Sequence, residues 1–177
     1  MSGRPALDFV GTRKWRRRAA AEQVEQLGRS TSLGRWAVAA GLVDVRPTLS
    51  EADLQAALEL REAGYRLLTA ARTGGRWNAK DRELLNTAAR GAPVELRLTG
   101  RRLVRTATPG QLTATLARDL LDIVGTDQVE QLKECGNEPC TRLYLDLSRA
   151  GNRRWCGMSE CGNRHKVAAF RNRQQQP

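Results

Sequence analysis

Four cysteines in two matched pairs constrain this chain more than any other feature. Cys135 and Cys140 frame CGNEPC, Cys156 and Cys161 frame CGMSEC, and residues 141–155 separate the two C-x4-C units. A chain of 177 residues is long enough for one ordinary domain with a hydrophobic core plus a small appendage, so it needs no disulfides to fold. No positively charged leader precedes an apolar run. No stretch approaches the roughly 18 to 20 continuous apolar residues that a membrane crossing requires. The expectation is a soluble, unexported, cytoplasmic protein, and in reducing cytosol clustered cysteines point to metal rather than to bridges.

A structural zinc site wants four soft ligands at tetrahedral corners about 2.3 Å from the ion. Cys135, Cys140, Cys156 and Cys161 supply that set by themselves, which predicts one zinc ion per chain and no open position for water or substrate. The single histidine, His165, is then not needed as a ligand; it is a bystander or a phosphate contact. A catalytic Cys/His pair would need a free thiolate, and a zinc deaminase would need H-x-E and an open metal position. The glycines after Cys135, Cys156 and Cys161 suit loops that fold their amides toward sulfur. Between the pairs, Leu143, Leu145 and Leu147 alternate with Tyr144 and Asp146, which predicts a strand turning at Ser148 to Asn152. After the second pair, NRHKVAAFRNRQ reads as a helix with Ser159 as its cap and Val167 and Phe170 inside. Trp155 reads as the miniature core of the finger. Loop, hairpin, loop and helix around one metal make a treble-clef-like finger.

The front of the chain reads as helices. LDFVGT is a short apolar strand or helix entry ending at Gly11, and Trp15 to Leu27 is free of proline and reads as a helix. SLGRWAVAAGL predicts a second helix leaving at Gly41. Ser50 caps a long third helix, whose Leu54, Ala57, Leu58, Leu60, Tyr65 and Leu68 recur at helical spacing up to Gly74-Gly75. Asn78 caps AKDRELLNTAAR. The alternation in Val94 to Leu98, the turn at Thr99-Gly100 and Leu103-Val104-Arg105 predict a hairpin, and Leu112, Leu116, Leu120, Ile123 and Val124 line one side of a last helix. The whole is α+β: a mostly helical N-terminal domain with a β-hairpin over 5–128, a zinc finger over 129–173 and a disordered tail at 174–177.

A formal charge of +11 favours polyanionic partners. The excess is concentrated beside the cysteines, with a second cluster in TRKWRRR that reads as a basic arm or a solvated helix entrance. Arg149, Arg153 and Arg154 on the hairpin, with Arg164, Lys166 and Arg171 on the helix, are the candidate nucleic-acid contacts, because arginine forks match phosphate oxygens and the acceptor edge of guanine. A bracing role inside the finger is open to Arg164, and a clamp on Asp146 to Arg153. Asn163 suits an amide hydrogen bond to a neighbouring loop. The paired acids Asp119 and Asp122 lack a His, Lys or metal ligand beside them, and no phosphate-cradling glycine loop occurs, so no enzyme is expected.

CGNEPC, LYLDLSRAGNRRWC and above all CGNR at Cys161 to Arg164 resemble the CGNR zinc-finger family of bacterial proteins. LDFVGT, LGRWAVAAGLV and ELREAGYRLL are similar to the ABATE domain that accompanies this finger. Glycine stands at Gly11 where asparagine is the commoner family residue. The resemblance covers nearly the full length and implies a stress-responsive transcription regulator, with a finger for nucleic acid, double-stranded DNA first, and a front domain that senses a small ligand or mediates self-association into a homo-oligomer. A protein-interaction module and an RNA-binding protein are the alternatives.

Overall fold

The computed structural model describes residues 2–163, 166 and 167, for 159 and 160 the backbone alone. Arg164, His165, Phe170, Arg171 and the tail at 174–177 lie outside the described residues, as does the side chain of Ser159.

Proline at the first turn starts α1 (Pro5–Val10), which buries Ala6, Leu7, Phe9 and Val10. A two-residue strand β1 (Arg13–Lys14) pairs antiparallel with β2 (Val24–Glu25). The helix expected over Trp15 to Leu27 does not form. Trp15 takes a left-handed backbone (φ 59°), and only a 3-10 turn at Ala20–Glu22 intervenes. Here propensity loses to tertiary ties: the Arg16 guanidinium donates to the carbonyls of Val10 at 2.7 Å and Arg13 at 2.6 Å and to Glu62 at 3.1 Å.

The remaining helices follow local signals. α2 (Ser30–Ala39) ends ahead of Gly41. α3 (Glu51–Thr73) opens on a reciprocal capping box between Ser50 and Asp53 and closes on Gly74 in the left-handed region. Asn78 caps α4 (Ala79–Ala89), accepting from the amides of Lys80 and Asp81. The hairpin β3 (Glu95–Thr99) and β4 (Arg102–Thr106) pairs Leu98 with Leu103 and turns at Gly100. Thr108 and Gln111 form a second capping box at the head of α5 (Pro109–Gly125).

α3 packs against α1, α2, α4 and α5. Gly64 permits its approach to α5: a β-carbon there would lie 2.6 Å from Leu120 Cδ1. The shared core includes Leu54, Leu60, Leu67 and Leu68 of α3 and Leu112, Leu116, Leu120 and Ile123 of α5. Arg61 is buried in it at 1% exposure, paired with Glu25 at 2.5 Å and Glu62 at 2.8 Å and donating to Thr12 at 3.0 Å. Such a charge is tolerated because every direction it faces offers an acceptor.

A 3-10 turn at Asp127–Gln131 leads to β5 (Leu132–Glu134), which pairs antiparallel with β6 (Leu143–Leu145). The strand over 143–145 thus finds its partner upstream, rather than in the chain returning from the turn at Ser148. Leu132, Leu143 and Leu145 belong to the main core, whereas Tyr144 belongs to a second cluster with Cys135, Cys156 and Cys161. The period-two alternation of a strand accounts for this: successive side chains leave on opposite faces. Among the described residues no helix is long and apolar enough to cross a membrane.

Candidate metal centre

The four cysteines arrive from two loops flanking β6. The Sγ atoms of all four lie within 4.8 Å of one another. Cys140 and Cys156 are 3.8 Å apart and Cys156 and Cys161 3.7 Å. Ligands about 2.3 Å from a tetrahedral zinc ion stand about 3.8 Å from one another, so these separations fit that ion. Cys135, Cys156 and Cys161 are buried and Cys140 is half-buried; all four are free of disulfides.

The surroundings favour anionic sulfur at Cys135. The Cys156 amide donates to Cys135 Sγ at 3.4 Å, the Asn137 amide also points at Cys135, and the Arg142 amide at Cys140. Hydrogen bonds from the Cys140 and Cys156 thiols, with those amides, pull the Cys135 thiol far below its ordinary range. Donating to that sulfur, together with burial, in turn pushes Cys140 and Cys156 up. Thiolates packed this closely repel, and a dication at their centre lets all four ionise.

A hydrogen-bonded web holds the loops. The Asp146 carboxylate, 6% exposed, accepts from Lys133 Nζ at 2.7 Å, from the Ser148 hydroxyl at 2.5 Å and amide at 3.1 Å, and from the Arg153 amide at 2.9 Å. Lys133 first, then Ser148, hold it well below the usual carboxylate range. Tyr144 donates its hydroxyl to the Arg153 carbonyl at 2.7 Å, and burial pushes the phenol up to about 12. The Arg153 guanidinium lies 4.3 Å from the centre of the Tyr144 ring and donates to the carbonyls of Trp155, at 2.8 Å, and Cys156. Its amide, rather than its guanidinium, holds Asp146. Of the expected nucleic-acid contacts, Arg153 is therefore committed to the finger itself.

Arg149, Arg154 and Lys166 are exposed, and among the described residues none has a carboxylate partner. Arg154 lies 5.5 Å over the half-buried Trp155, which packs on the sulfur cluster. Val167, expected inside, is 49% exposed. Neither Gly136 nor Gly162 takes a positive φ; both serve close approach. A β-carbon on Gly136 would meet the Arg154 carbonyl at 3.2 Å and the Trp155 ring at 3.4 Å, and one on Gly162 would meet Met158 Sδ at 2.7 Å.

The front of the chain also touches this centre. Lys14 and Trp15 line a recess of about 30 Å³ with Cys140 and Cys161. The Arg16 amide donates to the buried Thr141 hydroxyl at 3.3 Å. Glu134, next to Cys135, pairs with Arg17 at 2.6 Å and Arg72 at 2.8 Å. The TRKWRRR cluster is thus neither arm nor helix entrance: Arg16, Arg17 and Arg18 spend their charge on Glu62, Glu134 and Glu22. Sequence reasoning missed Lys133, Glu134 and Thr141, since their partners lie far along the chain. Asp119 and Asp122 are not an acid pair in search of a substrate, because Arg4 bridges them, at 2.6 Å and 2.8 Å.

Comparison with known proteins assigns both parts. Residues 3–127 match the ABATE family, described as "Putative stress-induced transcription regulator", and residues 131–174 match the CGNR zinc finger. Neither is described as an enzyme family. The search of curated proteins found no match. The metal of this finger is zinc, and the four cysteines are positioned to hold one ion.

Proposed function

The chain belongs to the ABATE family and carries a CGNR zinc finger, and from that premise we propose that it is a cytoplasmic, zinc-dependent DNA-binding transcription regulator rather than an enzyme. Cys135, Cys140, Cys156 and Cys161 are the zinc ligands in this reading, and the front domain senses a small ligand or mediates self-association. Four thiolates on one dication would leave the site formally minus two, while zinc, once bound, would supply a rigid closed centre and no chemistry.

One observation carries the DNA reading: the finger divides its arginines. Arg153 points in and closes the loops over the metal, while Arg149 and Arg154 stand exposed without a counter-charge among the described residues. Guanidinium groups left free on a rigid frame are suited to phosphate oxygens. Arg164 and Arg171 join this proposal from the sequence alone.

Zinc content and a salt series of duplex binding on the intact chain test it. About one zinc per chain is expected, with affinity for DNA falling steeply as salt rises. R149A and R154A together should weaken binding at unchanged zinc content, whereas R153A should lose zinc. Binding untouched by R149A/R154A, or absent even at low salt, sinks the proposal. Tighter binding to single-stranded RNA at matched salt, or purification with an acidic protein and no nucleic acid, would favour the RNA or protein-docking alternative instead.

A further inference from the structure

Arg142 follows the second cysteine and leaves the finger for the front domain. Its guanidinium is half-buried beside the end of α1, where its nearest acceptor is the Gly11 carbonyl at 3.5 Å. It has no carboxylate partner among the described residues. The contrast with other inward arginines is sharp: Arg4 meets Asp119 and Asp122, Arg16 meets Glu62, and Arg61 meets Glu25. A guanidinium partly removed from water and left unmatched favours any anion that can reach it.

Arg142 also lines a half-open cavity of about 430 Å³ whose other walls come from the front domain. Trp36, tilted against Phe9 at 5.2 Å, provides a flat face, and Ala39 and Ala40 extend it as apolar surface. Gln26 and Asp8 add polar edges; Asp8 already accepts the Ser2 amide at 3.0 Å. An aromatic wall with one unmatched cation is the composition of a small-molecule site, and the volume suits a single-ring ligand.

Gly11 makes the arrangement possible. A β-carbon at that position would stand 2.8 Å from Arg142 Nε. Glycine there lets the guanidinium lie against the helix end, and any larger residue would push it aside.

We propose that this cavity binds a small organic carboxylate with a flat apolar body, its carboxylate on Arg142 and its ring on Trp36. The proposal rests on the ligand-sensing part of the reading above and gives it a ligand class. It also gives a route: Arg142 lies between the zinc ligand Cys140 and β6, so an occupant of the cavity touches the finger directly.

Calorimetric titration of the full zinc-loaded chain with phenylacetate, phenylacetamide and phenylalanine tests it, with DNA affinity measured on the same samples. Phenylacetate should bind and the uncharged amide should not. Arg142→Gln should weaken phenylacetate by about tenfold or more at unchanged zinc content. Gly11→Ala should weaken it comparably with a melting temperature lowered only slightly, since the severe contact is with the flexible Arg142 side chain and the Leu7 carbonyl, at 3.2 Å, has only tenths of an ångström to give. Asp8→Asn separates the two carboxylate sources: a loss confined to phenylalanine identifies an amino acid as the better occupant, and no loss identifies a simple acid, both within the proposal. Equal binding of acid and amide, no binding of either carboxylate, or indifference to both Arg142→Gln and Gly11→Ala overturns it. If that failure comes with intact DNA binding, the regulator reading survives without this site; if carboxylate binds and DNA does not, the site stands and the DNA reading falls.

Discussion

The helical front and the cysteine-bearing end are built by different forces. In the front, aliphatic side chains from α1 to α5 share one core, and capping boxes at Ser50 and Thr108 close helix ends locally. In the end segment the interior is largely the four cysteines with Tyr144 and Trp155. Burial drives the first: each leucine removed from water contributes about 2 kcal/mol. The second has too few apolar groups for that, and metal ligation replaces them. Yet the two are not independent, because β6 gives Leu143 and Leu145 to one core and Tyr144 to the other.

Removing zinc tests this division most severely. Structural zinc contributes about 10 to 16 kcal/mol apparent in small fingers, so chelation or Cys156→Ser should abolish amide protection over 135–163. A sequence reader would expect the front to be untouched. The shared strand predicts instead that its melting temperature also drops by several degrees, and an unchanged value would show that β5 and β6 stay docked without metal. Arg61→Ala should come next, at about 3 to 5 kcal/mol in urea unfolding, because Glu25 and Glu62 lose their buried partner; zinc affinity should hold. Leu143→Ala should cost about 2 to 5 kcal/mol and, unlike Arg61→Ala, should also weaken zinc, measured by competition with a chelator. If it leaves zinc affinity alone, the coupling through β6 is wrong.

Acid should erode both regions. Burial pushes Glu62 and Glu25 up, but Arg16 and Arg61 outweigh it and hold both below the ordinary glutamate range. Asp146 is likewise depressed. A depressed carboxylate contributes stability that is complete above its unfolded value and is lost as pH falls through the folded one. Melting temperature should therefore be level above about pH 5 and fall below about pH 4. Arg61→Met, lacking the charge, should flatten that fall in the front. The smallest effect belongs to Ser50→Ala, about 1 kcal/mol from a lost cap, with zinc content unchanged.

What sequence could tell was what short-range chemistry decides. Ser50, Asn78 and the leucines of α5 announce their helices because cap and period lie within a few residues. The metal set was legible for the same reason, each pair sitting on one loop. Trp15 to Leu27 misleads because its composition suits a helix while Arg16 is claimed by Glu62, far away in α3. The partner of β6 was hidden because Leu132-Lys133-Glu134 carries no alternation of its own; β6 packs on α1, and Glu134 of β5 is held by Arg17 and Arg72, far away in the chain. Arg153 was expected to clamp Asp146, yet only its amide does so; its guanidinium turns to the carbonyls of Trp155 and Cys156, which leave no mark in a sequence.

The two-sided strand bears on how such a finger is handled. Cutting the chain after residue 128 to obtain the finger alone would bring Leu132, Leu143 and Leu145, each no more than 3% exposed here, into open solvent on a single small sheet. The excised piece would then self-associate through that greasy underside, and any stickiness seen with it would belong to the cut rather than to the molecule.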